Sequence, residues 1–371
     1  MGARLKSLDI LRGFDLWLLF FFGPLIHTLC SITEGPVRDF FFVQCEHVEW
    51  SGFTVWDIIM PLFIFMSGIT IPFSMAKYRE GEKPGWPFWK KLLKRFAILV
   101  FLGWIVQGNL LLFDFSQWHP FANTLQAIAV AYFVSAVAYA YGGEKAQIVV
   151  GSLFFAGYFA VFAILGQLSP DMNENVAMWV DKALLGSHRD GVIWSDDGSW
   201  IFDERYTYTW ILSSLNFVVT AILGSLTGHF LRNSKHTPSR KALYLAISGV
   251  VLILCGLALG EVFPIIKKIW SSSMTLFSGG ICCLLMALSY YIVDVRGRWR
   301  GLEWLEFYGK NSILAYCIGE IIRFTSISES LLYGLKPIVL EWYPFIITLA
   351  NVAILFFILR HLYRQGVFLK V

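Results

Sequence analysis

Residues 46–75 read EHVEWSGFTVWDIIMPLFIFMSGITIPFSM, and from Phe53 to Met75 the only ionisable side chain is Asp57. An apolar run of this length crosses about 30 Å of hydrocarbon as a helix. The polar stretch before it carries Glu46, His47 and Glu49. Imidazole is the one side chain whose unperturbed pKa lets it take and return a proton near neutral pH. A titratable ring at the mouth of a membrane helix suggests a transferase working at a membrane face.

The rest of the 371-residue chain fits that reading. It is 57% hydrophobic and 17% aromatic but only 15% charged, against about 25% charged in soluble domains. The fold class expected is an all-α polytopic membrane protein. Its spans fall near Leu8–Cys30, Phe53–Met75, Lys94–Phe113, Ala122–Tyr141, Ala146–Gly166, Thr209–Leu231, Ala242–Glu261, Trp270–Val293, Leu302–Ile322 and Tyr343–Tyr363. That makes a bundle of about ten helices, read as one transmembrane domain over residues 1–371. The first span is too long, and too poor in small residues at its end, for a cleaved signal peptide.

With the N-terminus placed inside, inner segments hold 20 of the 30 Lys and Arg residues and outer segments hold 8. The positive-inside rule then sets both termini in the cytoplasm and His47 outside. The outer connection from about residue 167 to 208 is the one long loop. It mixes Asp171, Asp181, Asp190 and Asp203 with Trp179, Trp194 and Trp200. Two readings stand for it: a sugar-binding loop, since indole stacks on sugar faces, or a solvated loop with interfacial aromatics.

Four constellations can carry chemistry. Glu46 and Glu49 can orient His47, and Asp57 is an intramembrane carboxylate near the same mouth. Asp9 and Arg12 form an i,i+3 pair at the start of the first span, where Ser7 is a candidate N-cap. They either tie helices together or, with Arg4, attract phosphates. Lys310 and Asn311 lie near the inner end of the ninth span, and Asn123 and Gln126 open the fourth. Interhelical hydrogen bonding is the plainer reading of both pairs. The six cysteines make no metal pattern, though Cys30 and Cys45 flank the first outer loop and could pair. No P-loop, zinc spacing, nucleophile elbow or dinucleotide fingerprint is present. No basic run interleaved with aromatics suggests nucleic acid.

The run Arg4-Leu5-x-Ser7-Leu8-Asp9-x-x-Arg12-Gly13 resembles the transmembrane acyltransferase family of lysosomal heparan-α-glucosaminide N-acetyltransferase and its bacterial homologues. His47-x-x-Trp50-x-Gly52-x-Thr54-x-x-Asp57-x-x-x-Pro61-x-Phe63-x-Phe65-x-x-Gly68 is similar to the family's specific block. Leu125-Gln126 and Gly309-x-Asn311-Ser312-Ile313-Leu314 resemble two weaker ones. The resemblance implies transfer of an acetyl group from cytosolic acetyl-CoA to an amino sugar or glycan outside. His47 matches the catalytic histidine and Asp57 a carboxylate of its block. The expected acetyl-CoA site comprises Arg4, Asp9, Arg12, Lys310 and Asn311. The expected acceptor site comprises Trp50, Glu46, Gln126 and Asn123, and no metal is implied. Two departures stand out: Ala127 replaces the arginine that commonly follows Leu-Gln, and Pro24-Leu25-Ile26-His27-Thr28 replaces an asparagine-bearing stretch, where His27 is a candidate substitute.

The expected setting is a bacterial inner membrane, with lipid, acetyl-CoA and the acceptor as partners and a homodimer left open. The rival class is a secondary transporter or flippase for a sugar-type solute, which would favour inverted repeats and broken helices at the midplane. A sugar sensor without turnover would keep the tryptophan loop and not need His47.

Overall fold

The computed structural model describes residues 5–79, 81–108 and 118–369. In chain order its helices are α1 (Lys6–Trp17), α2 (Gly23–Cys30), α3 (Pro36–Gln44), α4 (Ile59–Ile69), α5 (Ile71–Ser74), α6 (Trp86–Gln107), α7 (Thr124–Ile164) and α8 (Val176–Leu185). A hairpin of β1 (Val192–Trp194) and β2 (Trp200–Phe202) follows. Then come α9 (Ser214–Arg232), α10 (Pro238–Gly260), α11 (Ser272–Tyr290), α12 (Glu303–Lys310), α13 (Ser312–Ile321), α14 (Phe324–Leu332), α15 (Lys336–Val339) and α16 (Tyr343–Arg364).

The all-α, membrane-spanning class is therefore observed. Among the described residues, seven helical stretches are long and apolar enough to cross a bilayer: Lys6–Cys30, Val55–Ser74, Thr124–Ile164, Ser214–Arg232, Pro238–Gly260, Ser272–Val295 and Phe324–Arg364. Two departures from the expected spans have local causes. Helix α6 begins at Trp86, earlier than the Lys94 start read from hydropathy, with Pro87 in its first turn and Gly85 as its N-cap. Its lysines Lys90, Lys91 and Lys94 are exposed within the helix, as long cationic side chains that bury their stems and keep their heads in water can be. Arg95 lays its guanidinium 3.7 Å from the centre of the Tyr132 ring. The expected span Leu302–Ile322 is broken between α12 and α13 at Asn311, whose backbone (φ −113°, ψ 32°) is not helical. The expected boundary between the fourth and fifth spans is met inside α7. There Gly143 takes φ 65°, a left-handed value that favours glycine.

The described residues pack as two compact units. One draws on 5–48, 54–59 and 288–369, the other on 49–53 and the described residues between 60 and 287.

In the first unit α1 and α12 cross backbone to backbone. A Cβ on Gly13 would lie 1.8 Å from the Leu305 carbonyl oxygen, and one on Gly309 would lie 1.7 Å from that of Asp9. Small residues permit such crossings in membranes, where packing must replace the hydrophobic effect between helices. Ile10, Val293 and Leu305 form the core around the crossing, walled by Phe14, Trp17 and Trp304.

The second unit repeats the device between α4 and α9, where Gly68 faces the Ala221 carbonyl and Gly224 that of Phe65. A polar stitch holds the two halves of α7 to α9. Gln147 Nε2 donates toward Ser135 O and Oγ, both at 3.0 Å, and Ser225 Oγ at 2.9 Å. Unpaired, that buried amide would be costly.

The long connection at 167–208 is folded, carrying α8 and the hairpin. Its carboxylates largely serve that fold. Asp171 accepts from the Asn173 and Glu174 N–H groups, and Asp197 from Ser199. Asp181 is fully buried and accepts from Trp210 N (2.7 Å) and Ile211 N (3.0 Å). Arg189, equally buried, donates Nη2 to the carbonyls of Tyr206 and Tyr208. Burial pushes the Asp181 carboxyl up to about 6, against the opposing pull of the two N–H groups and the Arg189 charge. A raised acid is a group the folded state prefers protonated. Its contribution is thus full at pH below the ordinary aspartate range and is lost as pH rises through about 6. Hydrogen exchange across α8 and the hairpin should slow as pH is lowered from 7 to 5, after correction for intrinsic exchange. Asp181→Asn should remove that dependence.

Candidate functional site

The site grows from a helix start. Thr54, extended at φ −115° and ψ 170°, caps the turn Val55–Ile58, and Asp57 sits three residues on. Both halves of a capping box are formed. The Thr54 N–H donates to Asp57 Oδ2 at 3.1 Å. The Thr54 hydroxyl lies 3.1 Å from the same oxygen and 2.7 Å from the Glu46 carbonyl, so its one proton is shared between two acceptors. Gln44 Oε1 accepts from Val55 N at 3.2 Å. These bonds fold residues 44–46 back over the start of the helix and bring His47 to Asp57.

His47 Nδ1 and Asp57 Oδ1 are 2.7 Å apart. The carboxylate is 1% exposed, whereas the ring is 40% exposed. An ionised carboxylate can only accept, so Nδ1 carries the proton and donates it. That tautomer puts the ring's basic lone pair on Nε2. The dyad thus sets a partly exposed ring against a buried carboxylate that fixes its tautomer.

Beside it, His27 of α2 places Nε2 3.4 Å from Glu46 Oε1 and 3.3 Å from the Cys45 carbonyl. Glu46 therefore faces His27, and Asp57 takes the orienting role on His47. The six-membered ring of Trp56 packs against Gly23 at the start of α2, in the space a Cβ would need. Cys30 and Cys45 are buried free thiols, so the pairing open at their spacing is not formed. Burial, then the neighbouring Cys30 and Glu46, push the Cys45 thiol up and keep it protonated.

The residues expected to serve acetyl-CoA have partners within the first unit. Glu306 receives Lys310 at 2.7 Å and Lys6 at 3.5 Å, and Arg12 lies 3.6 Å from Asp9, which is almost fully buried. Lys310 also reaches the Tyr363 hydroxyl at 3.3 Å. Asn311 clamps the C-terminal segment, donating Nδ2 to Val367 O (3.1 Å) and accepting from Leu369 N (3.3 Å). Removing it as Asn311→Ala should raise amide exchange at Leu369 at least severalfold, with little change in α1. Arg4 lies outside the described residues.

Trp50, Asn123 and Gln126 belong to the second unit. Trp50 donates Nε1 to Pro170 O at 3.1 Å and packs on the cluster around Tyr158 and Phe263. Asn123 is the N-cap of α7, accepting from Leu125 N at 2.8 Å, and Gln126 accepts from Ala122 N at 2.8 Å. Of the polar atoms of these three side chains, Gln126 Nε2 is buried without a hydrogen-bond partner. Sequence reading overlooked Thr54 as the support of Asp57, although the Thr-x-x-Asp spacing signals a capping box. It also overlooked Glu306, although its i,i+4 spacing to Lys310 is a helix ion-pair signal.

No family model matches the chain. Heparan-alpha-glucosaminide N-acetyltransferase of Mus musculus is 25% identical to it over 371 residues, covering 86% of this chain and 54% of that protein. The chain is similar to a heparan-alpha-glucosaminide N-acetyltransferase over most of its length. The Homo sapiens protein of the same name is 24% identical over 374 residues, covering 87% of this chain and 54% of its own length. The chain thus spans about half the length of the curated relatives it matches. The matched region is nearly all of this chain, so the resemblance carried by the His47 block extends well beyond that block.

Proposed function

We propose that this protein is a membrane acetyltransferase. It moves an acetyl group from acetyl-CoA to the amine or hydroxyl of an amino sugar or glycan on the opposite face. The observation that carries the reading is the 2.7 Å contact between His47 Nδ1 and a buried, capped Asp57, in a chain similar to N-acetyltransferases. The orientation that supports it has both termini in the cytoplasm and about ten spans, with α7 counted as two, following the 20-to-8 distribution of basic residues. A bacterial inner membrane fits that arrangement.

In this reading His47 Nε2 takes a proton from the acceptor as its nitrogen or oxygen attacks the thioester carbonyl. The carbon–sulfur bond breaks, CoA leaves as the thiolate, and the proton returns to sulfur or solvent. Asp57 stabilises the imidazolium formed on the way and prevents the ring from turning. Direct attack accounts for the dyad without an acetyl-histidine intermediate. A charged cosubstrate need not cross the membrane, because only the acyl group changes sides.

The test is consumption of acetyl-CoA by the purified protein in nanodiscs against a panel of amino sugars and glycans. Acceptor-stimulated release of CoA supports the reading. A folded protein that neither binds nor consumes acetyl-CoA with any acceptor overturns it and favours the transporter.

A further inference from the structure

Within the first unit, a cavity of about 590 Å³ opens beside α2, α13, α14 and α16. That volume falls within the range of small-ligand sites, about 300–1,000 Å³. Its lining combines apolar residues such as Phe20 and Pro24 with Glu320, Arg323, Thr325 and Asn351. Glu320 and Arg323 line the same cavity but form no ion pair with each other among the described residues. The lining therefore offers an anion and a cation, each with unused hydrogen-bonding capacity. Thr325 and Asn351 are joined by a 3.1 Å bond that braces α14 on α16.

The chain that leaves this cavity indicates what enters it. From α14 to the start of α16 the backbone runs as short helical turns with Leu331, Tyr333, Ile338, Leu340 and Trp342 exposed. Large apolar and aromatic residues alternate there with Glu329, Lys336 and Glu341. This is the composition of a segment lying in a membrane interface, with aromatics at headgroup depth. The cavity is rooted at the first turn of that segment. Pro24 on its wall is followed one turn later by His27, placing it toward the same end of the first span as the His47 dyad.

We propose that this cavity binds a zwitterion in which an ammonium is joined to a phosphate, presented as the headgroup of a membrane lipid. Glu320 accepts from the ammonium, Arg323 donates to the phosphate, and the exposed apolar residues of the following segment lie along the acyl chains. Guanidinium matches phosphate geometry, and a carboxylate distinguishes a primary ammonium that can donate from a quaternary one that cannot. The leaflet concerned follows the orientation proposed above, whereas the pocket chemistry does not depend on acetyl transfer.

The experiment uses the full chain in nanodiscs of phosphatidylcholine doped with phosphatidylethanolamine. Lipid retained after mild extraction is identified by native mass spectrometry. Charge-assisted hydrogen bonds contribute about 1.5–3 kcal/mol, so wild type should retain phosphatidylethanolamine at least ~10-fold over phosphatidylcholine. Glu320→Gln should abolish that preference, and Arg323→Gln should lower retention of both lipids. Both side chains are exposed, so unchanged melting temperatures are expected. Equal retention of the two lipids by wild type, or an undiminished preference in Glu320→Gln, overturns the proposal. Displacement of the lipid by soluble phosphoethanolamine at comparable concentration overturns the lipid as source. Acetyl-CoA consumption is measured on the same samples. Lipid preference without turnover would refute the acyltransferase reading alone, and turnover without preference would refute this one alone.

Discussion

His47→Ala should lower acceptor-dependent release of CoA by ~10²–10⁴-fold, the usual contribution of a positioned general base. Binding of acetyl-CoA should be retained, because the ring acts on the acceptor's proton. Asp57→Asn is the more discriminating variant. The asparagine can still accept from the Thr54 N–H through its amide oxygen, so the capping box that starts the helix is largely preserved. Its amide nitrogen, turned to His47 Nδ1, donates where the carboxylate accepted. The ring then has to carry its proton on Nε2, and that nitrogen is no longer the basic one. Asp57→Asn should therefore approach the loss seen in His47→Ala while melting like wild type. The double variant should be little worse than either single one, because the two side chains act as a unit. Measuring kcat for all three in nanodiscs, with melting temperatures alongside, decides the matter. An active Asp57→Asn would leave Asp57 with a role in the cap alone.

The second large effect is on folding. Gly309→Ala should destabilise the first unit severely, because the added Cβ would stand 1.7 Å from the Asp9 carbonyl oxygen. Backbone cannot swing aside as a side chain does, so α1 and α12 must separate along their crossing. Overpacking of this kind costs about 1–3 kcal/mol and at times more. The companion Gly13→Ala, facing the Leu305 carbonyl at 1.8 Å, should behave alike. Gly157→Ala is the control. It lies within α7 with nothing inside 4 Å of the added carbon, and alanine there gains up to about 1 kcal/mol of helix propensity. The same substitution should thus change sign with position. Thermal unfolding in a single detergent or nanodisc, with yield of folded protein as a second readout, tests both. A Gly309→Ala protein as stable as wild type would mean that the crossing relaxes at little cost.

Much of the architecture was legible because a bilayer constrains sequence so strongly. The runs at 8–30, 53–75, 209–231, 242–261 and 270–293 correspond closely to observed helical stretches. Every backbone polar group in hydrocarbon must be paired internally, and for apolar runs of about 20 residues the helix does this within one segment. Legibility failed where that constraint relaxes. Hydropathy placed the start of α6 late because it counts lysine heads and ignores their apolar stems. It read 302–322 as one span because it cannot register a single non-helical residue at Asn311, whose side chain is held by Val367 and Leu369 from far along the chain.

The site divides in the same way. Sequence alone determined the membrane class, the position of His47 just ahead of an apolar span, and the Thr54–Asp57 spacing, all of them local properties of type and period. Tertiary structure decided that Asp57, and not Glu46 or Glu49, faces the His47 ring, because a folded-back connection brings atoms ten residues apart to 2.7 Å. It decided that Lys6 joins Lys310 on Glu306 and that Asn311 clamps the chain end. Those outcomes depend on which partner each polar group meets across elements distant in sequence. A buried hydrogen bond is worth most to whichever acceptor the packing brings within reach, and packing is a property of the whole fold.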